Sequence, residues 1–119
     1  MTHLTNHLQS TIKREVARLY KASFGKGPEN TDVVIYQNFI FIKINGAFCQ
    51  IEESLMHSAI GKELVEKIRD ELILSRTAGY IPAVEKIVKE KVEKINYMME
   101  EEKNNLYIFL MFANDIKVV

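Results

Sequence analysis

The sequence predicts an α+β fold in which two β-hairpins form a mostly antiparallel four-stranded sheet packed with helices. Two patterns predict this fold. Helical periodicities of apolar residues alternate with paired runs of β-branched and aromatic residues, in the order α-β-β-α-α-α-β-β. The chain has 119 residues, of which 47% are hydrophobic and 27% charged, so a single globular domain over residues 1–119 is expected.

The first predicted element is an amphipathic helix over residues 5–24, where apolar side chains recur every fourth residue. These side chains are Leu8, Ile12, Val16 and Tyr20. Gly25 is well placed to end this helix, because glycine adopts the left-handed conformation of a helix C-terminus without steric cost.

The first hairpin is predicted from two runs, 32–36 and 39–44, with Gln37-Asn38 as the turn and Asn45-Gly46 after the second strand. In the second run, apolar residues occupy both faces: Phe39 and Phe41 alternate with isoleucines at 40, 42 and 44. A strand with one solvated face alternates cleanly between apolar and polar residues. This sheet is therefore expected to be covered on both faces.

Three helical segments are predicted to follow, a short one at 50–57 and longer ones at 59–77 and from Pro82 to about residue 91. Thr77-Ala78-Gly79 is taken as the break between the longer two, since proline suits a first helical turn. The segment 59–77 has an apolar stripe at four-residue spacing. The stripe consists of Ile60, Leu64, Ile68 and Leu72.

The last two predicted strands are residues 92–99 and 106–112, joined by a charged loop at 100–105. The run 106–112 has seven consecutive apolar residues, which again indicates burial on both faces. So short a chain has too few helices to cover both faces. We therefore expect the second face, or the first helix, to pack against another copy in a homodimer.

Composition excludes several classes of function. Sixteen Lys and Arg balance sixteen Asp and Glu, so no nucleic-acid partner is predicted. The sequence has no run of 18 apolar residues, so no transmembrane segment is predicted, and a single cysteine, Cys49, fits a cytoplasmic location. We find no catalytic triad, paired carboxylates, nucleotide fingerprint or metal-ligand set, so we predict no enzyme activity, cofactor or metal.

The loop Gly25-Lys26-Gly27-Pro28 has two interpretations. It differs from a P-loop because it lacks the G-x-x-x-x-G-K-[ST] pattern and because it follows a helix. It is either a helix C-cap with an ordered turn or a set of backbone amides that binds an anion together with Lys26. The candidate ligand-binding residues are Gly25, Lys26 and Gly27.

Three segments together resemble the MpsC family, named as component C of a Na⁺-translocating membrane-potential-generating system. They are the loop 24–28 after an amphipathic helix, the hairpin 33–46 ending in Asn45-Gly46, and the run 61–72, which opens with Gly61-Lys62-Glu63-Leu64-Val65. The resemblance covers about residues 8–112. This sequence departs from the family pattern in the third strand, where Asn96 lies near the position of an expected histidine and the expected aspartate is missing.

The resemblance implies a small accessory protein of a Na⁺-translocating or bicarbonate-uptake-linked membrane system. The predicted function is a homodimeric interaction module whose apolar sheet face and helical stripes contact a protein partner, such as a membrane protein complex. The alternative is a regulatory domain that binds a small ligand or anion at residues 25–28.

Overall fold

The computed structural model describes residues 2–25, 27–100 and 102–117, without the side chains of residues 2–6 and 72–80. Helices and strands follow the predicted order, except that a single helix stands where the last two helices are predicted. They are α1 (Thr2–Phe24), β1 (Asn30–Tyr36), β2 (Phe39–Asn45), α2 (Gln50–Leu55), α3 (Ala59–Val88), β3 (Val92–Glu100) and β4 (Asn105–Phe112). The predicted α+β class is confirmed.

The four strands form one sheet in the order β1-β2-β4-β3, and each neighbouring pair is antiparallel. The β1–β2 hairpin turns at Gln37, which has a φ of 53°, and Asn38, and the β3–β4 hairpin turns at Asn104, with a φ of 55°. Asparagine tolerates this left-handed region better than most residues. The strands β2 and β4 are central, so the two hairpins join through their most apolar members.

One face of the sheet forms the core. Isoleucines at 40, 42 and 44 in β2 are buried there against α1 and the C-terminal half of α3, together with three residues of β4, Leu106, Leu110 and Phe112. Residues Ile12, Val16 and Tyr20 of α1 and Val84 and Val88 of α3 pack against them. The α1 stripe predicted from four-residue spacing is therefore the buried side of that helix.

The structure has one helix, α3, where the sequence predicts two. Thr77-Ala78-Gly79 and Pro82 all lie within Ala59–Val88, so the predicted break and restart are wrong. Proline in a helix interior removes one hydrogen bond, and glycine costs about 1 kcal/mol relative to alanine. A helix of 30 residues that is anchored at both ends tolerates both residues. It ends at Val88, before Lys89 in the left-handed conformation, rather than near residue 91.

The second face of the sheet is open in the single chain. This open face consists of the even-numbered residues 30–36 of β1 and 94–100 of β3, and the odd-numbered residues 39–45 of β2 and 105–111 of β4. Among the described residues, helices pack against the opposite face alone. As expected for so short a chain, its own described helices leave this face uncovered, and cover by a second copy stays a prediction.

Candidate interaction surface

The centre of the open face is aromatic. Phe41 of β2 lies beside Phe109 of β4, with ring centroids 5.5 Å apart, and Phe109 also contacts Phe39 at 5.6 Å. Phe41 stacks on Tyr107 with centroids 5.8 Å apart. Phe109 remains 44% exposed. These rings hold one another in place across the two central strands, so they present a fixed apolar surface to the outside.

The aromatic centre continues to both edges of the sheet. Val34 pairs with Phe41 on the β1 side, and Met98 pairs with Tyr107 on the β3 side. Their exposed fractions are 53% and 61%. The apolar surface thus runs across all four strands.

One end of the open face is polar. The Asn45 amide donates to Asn105 across β2 and β4 at 2.7 Å, and Asn105 in turn donates to Glu100 of β3 at 3.1 Å. Tyr107 also donates to Glu100, and these hydrogen bonds hold the pKa of Glu100 below its ordinary value. These contacts fix Glu100 as a carboxylate at the rim of the aromatic centre.

A second exposed apolar surface lies on α3. Ile60, Leu64 and Ile68 of the predicted stripe point away from the core, with Ile68 46% exposed. The buried side of the N-terminal half of α3 lies one residue further along the chain than the predicted stripe and contains Gly61, Val65 and Arg69. The described side chains of the predicted stripe, at 60, 64 and 68, are therefore on the surface, and we name them the α3 stripe.

Arg69 is the centre of a buried polar cluster that joins three helices and a loop. Its guanidinium is fully buried and forms a bidentate ion pair with Glu52 of α2. It also donates to the Tyr20 hydroxyl of α1 and to the Ala47 carbonyl. The Tyr20 hydroxyl donates to the same carbonyl. No buried side-chain nitrogen or oxygen in the described part of the chain lacks a partner.

Aromatic rings enclose the same guanidinium. The Arg69 Cζ atom lies 4.2 Å from the Phe24 ring centroid and 5.3 Å from that of Phe48. Burial alone raises the pKa of Glu52, but hydrogen bonds from Arg69 and from the Cys49 amide outweigh it and hold the pKa below its ordinary value. The cluster is therefore a buried ion pair whose polar groups are hydrogen-bonded, and it holds α1, α2 and α3 together.

This cluster could not be predicted from the sequence. Arg69 lies inside the run that carries the family resemblance, four residues after Val65, but a single arginine among charged helix residues is ordinarily solvated. Glu52 lies in the first turn of a short helix, where an acidic residue is ordinarily a favourable surface charge. Pairing two residues 17 positions apart requires knowing that α2 folds back on α3, which a single sequence does not show.

Tyr97 of β3 donates a hydrogen bond to Asp70 of α3. Burial and this carboxylate raise the pKa of Tyr97 to about 12. A tyrosine with a raised pKa in the folded state loses its stabilising contribution as the pH rises from about 10 towards its folded value.

We therefore expect Tyr97 to remain un-ionised at pH 11 in the folded protein, as measured by the phenolate absorbance difference between the wild type and Tyr97→Phe. In Asp70→Asn the carboxylate is gone, so ionisation of Tyr97 should begin at lower pH. If Tyr97 ionises at the same pH in Asp70→Asn as in the wild type, the hydrogen bond to Asp70 does not stabilise the protonated form of Tyr97.

The predicted ligand-binding residues lie at the end of α1. Gly25 has a φ of 78°, and its amide donates to the Lys21 carbonyl at 2.8 Å, as in a helix C-cap. Gly27 follows, half-buried beside Lys21. Lys26 lies outside the residues that the structure describes. The hydrogen bond to Lys21 already occupies the Gly25 amide. The ligand-binding role of Gly25, Lys26 and Gly27 stays a prediction.

Cys49 and the acidic residues at the β3–β4 turn belong to different elements of the fold. Cys49 is half-buried and directly precedes α2, as expected. Glu100 lies in β3 and Glu102 in the turn, while Glu101 is outside the described residues. The described residues contain no group of three or more His, Cys, Asp or Glu that could hold a metal ion. Asn96, near the position where a histidine is expected, pairs with Phe109 on the open face.

Comparison with known protein families gives a match over residues 5–114 to a family described as Na⁺-translocating membrane potential-generating system (MpsC). Neither the curated proteins nor the solved structures gave a match. No helix in the part of the chain that the structure describes is long and apolar enough to cross a membrane. Because the match spans nearly the whole chain, including both hairpins and all of α3, this protein belongs to the MpsC family.

Proposed function

We propose that the chain is a cytoplasmic, homodimeric accessory component of a Na⁺-translocating membrane system, and that it works by binding other proteins rather than by catalysis. The family supports a role in such a system. The observation that carries the interaction role is the pair of apolar surfaces, the open face and the α3 stripe. Monomeric proteins rarely expose contiguous apolar patches larger than a few hundred Å².

The two surfaces suit separate contacts. The open face lies on the side of the sheet opposite the packed helices, whereas the α3 stripe lies on one of those helices. Contact through one surface leaves the other accessible. A homodimer with a second surface free can therefore attach to a larger assembly.

The test is purification of the tagged chain from detergent-solubilised membranes of its own cell. We expect a membrane-embedded subunit of the ion-translocating system to co-purify in a fixed ratio. As a control, Lys62→Ala changes an exposed residue of α3 outside the α3 stripe and should leave the ratio unchanged. Recovery of the tagged chain without any such subunit would contradict the accessory role.

The alternative function, anion binding at residues 25–28, remains open. The Lys21 side chain lies beside Gly27 and supplies a cation near the predicted site. If the site exists, phosphate or a nucleotide should raise the melting temperature, and Lys26→Ala should abolish the increase. An equal increase in Lys26→Ala would exclude this site.

A further inference from the structure

We propose that the open face is the surface through which two copies of this chain form the dimer, packed sheet against sheet with helices on both outer sides. The proposal rests on the proposed function, since that function requires a homodimer. It adds the interface and the residues that form it.

The arrangement of side chains is that of a protein–protein interface. Such interfaces place aromatic and Met side chains in the centre and polar groups at the rim. Here Phe41, Tyr107 and Phe109 form the centre, and Glu100 and Asn105 lie at one end. Because ring contacts within the sheet already hold the aromatic side chains, little conformational entropy is lost when a partner covers them.

The charges of the open face favour a second copy of the same surface. Asp32 and Glu100 are matched by Lys43 and Lys94, so the face has no net charge. A surface built for a strongly charged partner carries an excess of one sign.

The positions of the charges also suit a two-fold contact. Lys94 and Glu100 lie towards opposite ends of the same edge strand, β3. Consider a two-fold axis that lies between the two sheets and runs perpendicular to the strands. It places β3 of one copy over β3 of the other in the opposite direction, so each Lys94 faces the Glu100 of the other copy. This self-complementarity is what an isologous interface requires.

The area is enough for a specific contact between two copies, at the small end of the known range. Four strands spaced ~4.8 Å apart and ~7 residues long at ~3.3 Å each give a flat footprint of roughly 20 by 20 Å. When this footprint is buried on both copies, and the extra surface of the protruding side chains is included, about 1,000 Å² or more of solvent-accessible surface is buried. This total reaches the lower range of specific interfaces. The α3 stripe is three side chains on one helix and provides much less.

The first experiment compares two variants by sedimentation equilibrium. Phe109→Arg places a charge in the centre of the proposed interface, and Ile68→Arg places the same charge on the α3 stripe. The two side chains are matched in exposure, at 44% and 46%, so neither is needed for the core. We expect Phe109→Arg to raise the dimer dissociation constant at least about 10-fold and Ile68→Arg to leave it unchanged.

A second variant guards against an effect of misfolding. Met98→Arg changes a side chain that is 61% exposed on a different strand of the open face. It should weaken the dimer in the same way while circular dichroism and the melting temperature of the dilute protein stay at wild-type values.

The outcomes separate this proposal from the proposed function. A wild-type chain that is monomeric at all concentrations overturns both, and leaves the open face to a different partner. A wild-type dimer that persists in Phe109→Arg and Met98→Arg but dissociates in Ile68→Arg overturns only the interface assigned here. A dimer weakened by both open-face variants and not by Ile68→Arg supports it.

Discussion

Replacing Arg69 by methionine is expected to lower the free energy of unfolding at pH 7 by about 3–5 kcal/mol, because it leaves the buried Glu52 carboxylate without a positively charged partner. The change also removes hydrogen bonds to Tyr20 and to the Ala47 carbonyl. Urea unfolding followed by circular dichroism measures the loss. The expected loss is a large part of the free energy of unfolding of a typical small domain.

The matched control is the exposed ion pair between Arg18 and Glu15 on α1, with a nitrogen–oxygen distance of 2.5 Å. Arg18→Met should cause no measurable change, because exposed pairs contribute little. Adding Glu52→Gln to Arg69→Met should restore part of the stability, since no buried charge then remains. Equal stability of Arg69→Met and Arg18→Met would contradict the structural role given to the cluster.

The same variant should change the pH dependence of stability. In the wild type the pKa of Glu52 is lowered by folding, so its contribution is present above the unfolded value of about 4.3 and is lost as the pH falls through the folded value. Without Arg69, burial raises the pKa instead, and stability is lost as the pH rises. The stability difference between wild type and Arg69→Met should therefore widen as the pH rises from about 3 to 6.

Replacing Gly61 by alanine should have the second-largest effect, a loss of about 2–3 kcal/mol. A Cβ at Gly61 would lie 1.8 Å from the Leu55 carbonyl oxygen, so the end of α2 and the start of α3 would have to separate. The better helix propensity of alanine, about 1 kcal/mol, does not offset such an overlap. The measurement is again the urea midpoint.

Gly27→Ala is the control for this substitution. A Cβ at Gly27 would lie 3.8 Å from the Cδ atom of Lys21, which is ordinary contact. Its stability should match that of the wild type or slightly exceed it, because alanine restricts the unfolded chain. If Gly61→Ala were as stable as Gly27→Ala, the close approach of α2 to α3 would be wrong.

The elements with strong local patterns could be predicted from the sequence. The α1 stripe, ending at Gly25, and the hairpin around Gln37-Asn38 are both confirmed, since each depends on residues close together in the chain. The order of helical and strand segments and the antiparallel sheet also follow from such patterns. The error at residues 77–82 arose because glycine and proline were interpreted as a boundary, although a long anchored helix accommodates them.

The features that depend on distant contacts could not be predicted in the same way. Periodicity identified the α3 stripe as one face of a helix but did not show that the adjacent face, with Val65 and Arg69, is the buried one. Likewise, apolar residues on both sides of β2 indicated two covered faces. The structure shows which face the helices of this chain pack against, and the other face is the one that we propose a second copy covers.

The most direct test of this account is the rate of Met98 oxidation by dilute peroxide in the unaltered chain, followed by peptide mapping as protein concentration rises. Met98 is 61% exposed in the single chain and lies on the open face. We expect its oxidation to slow in step with the fraction of dimer, while oxidation of the half-buried Met56, beside α2, keeps a constant rate. A dimer in which Met98 reacts as fast as in the monomer would contradict the assignment of the open face as the dimer interface.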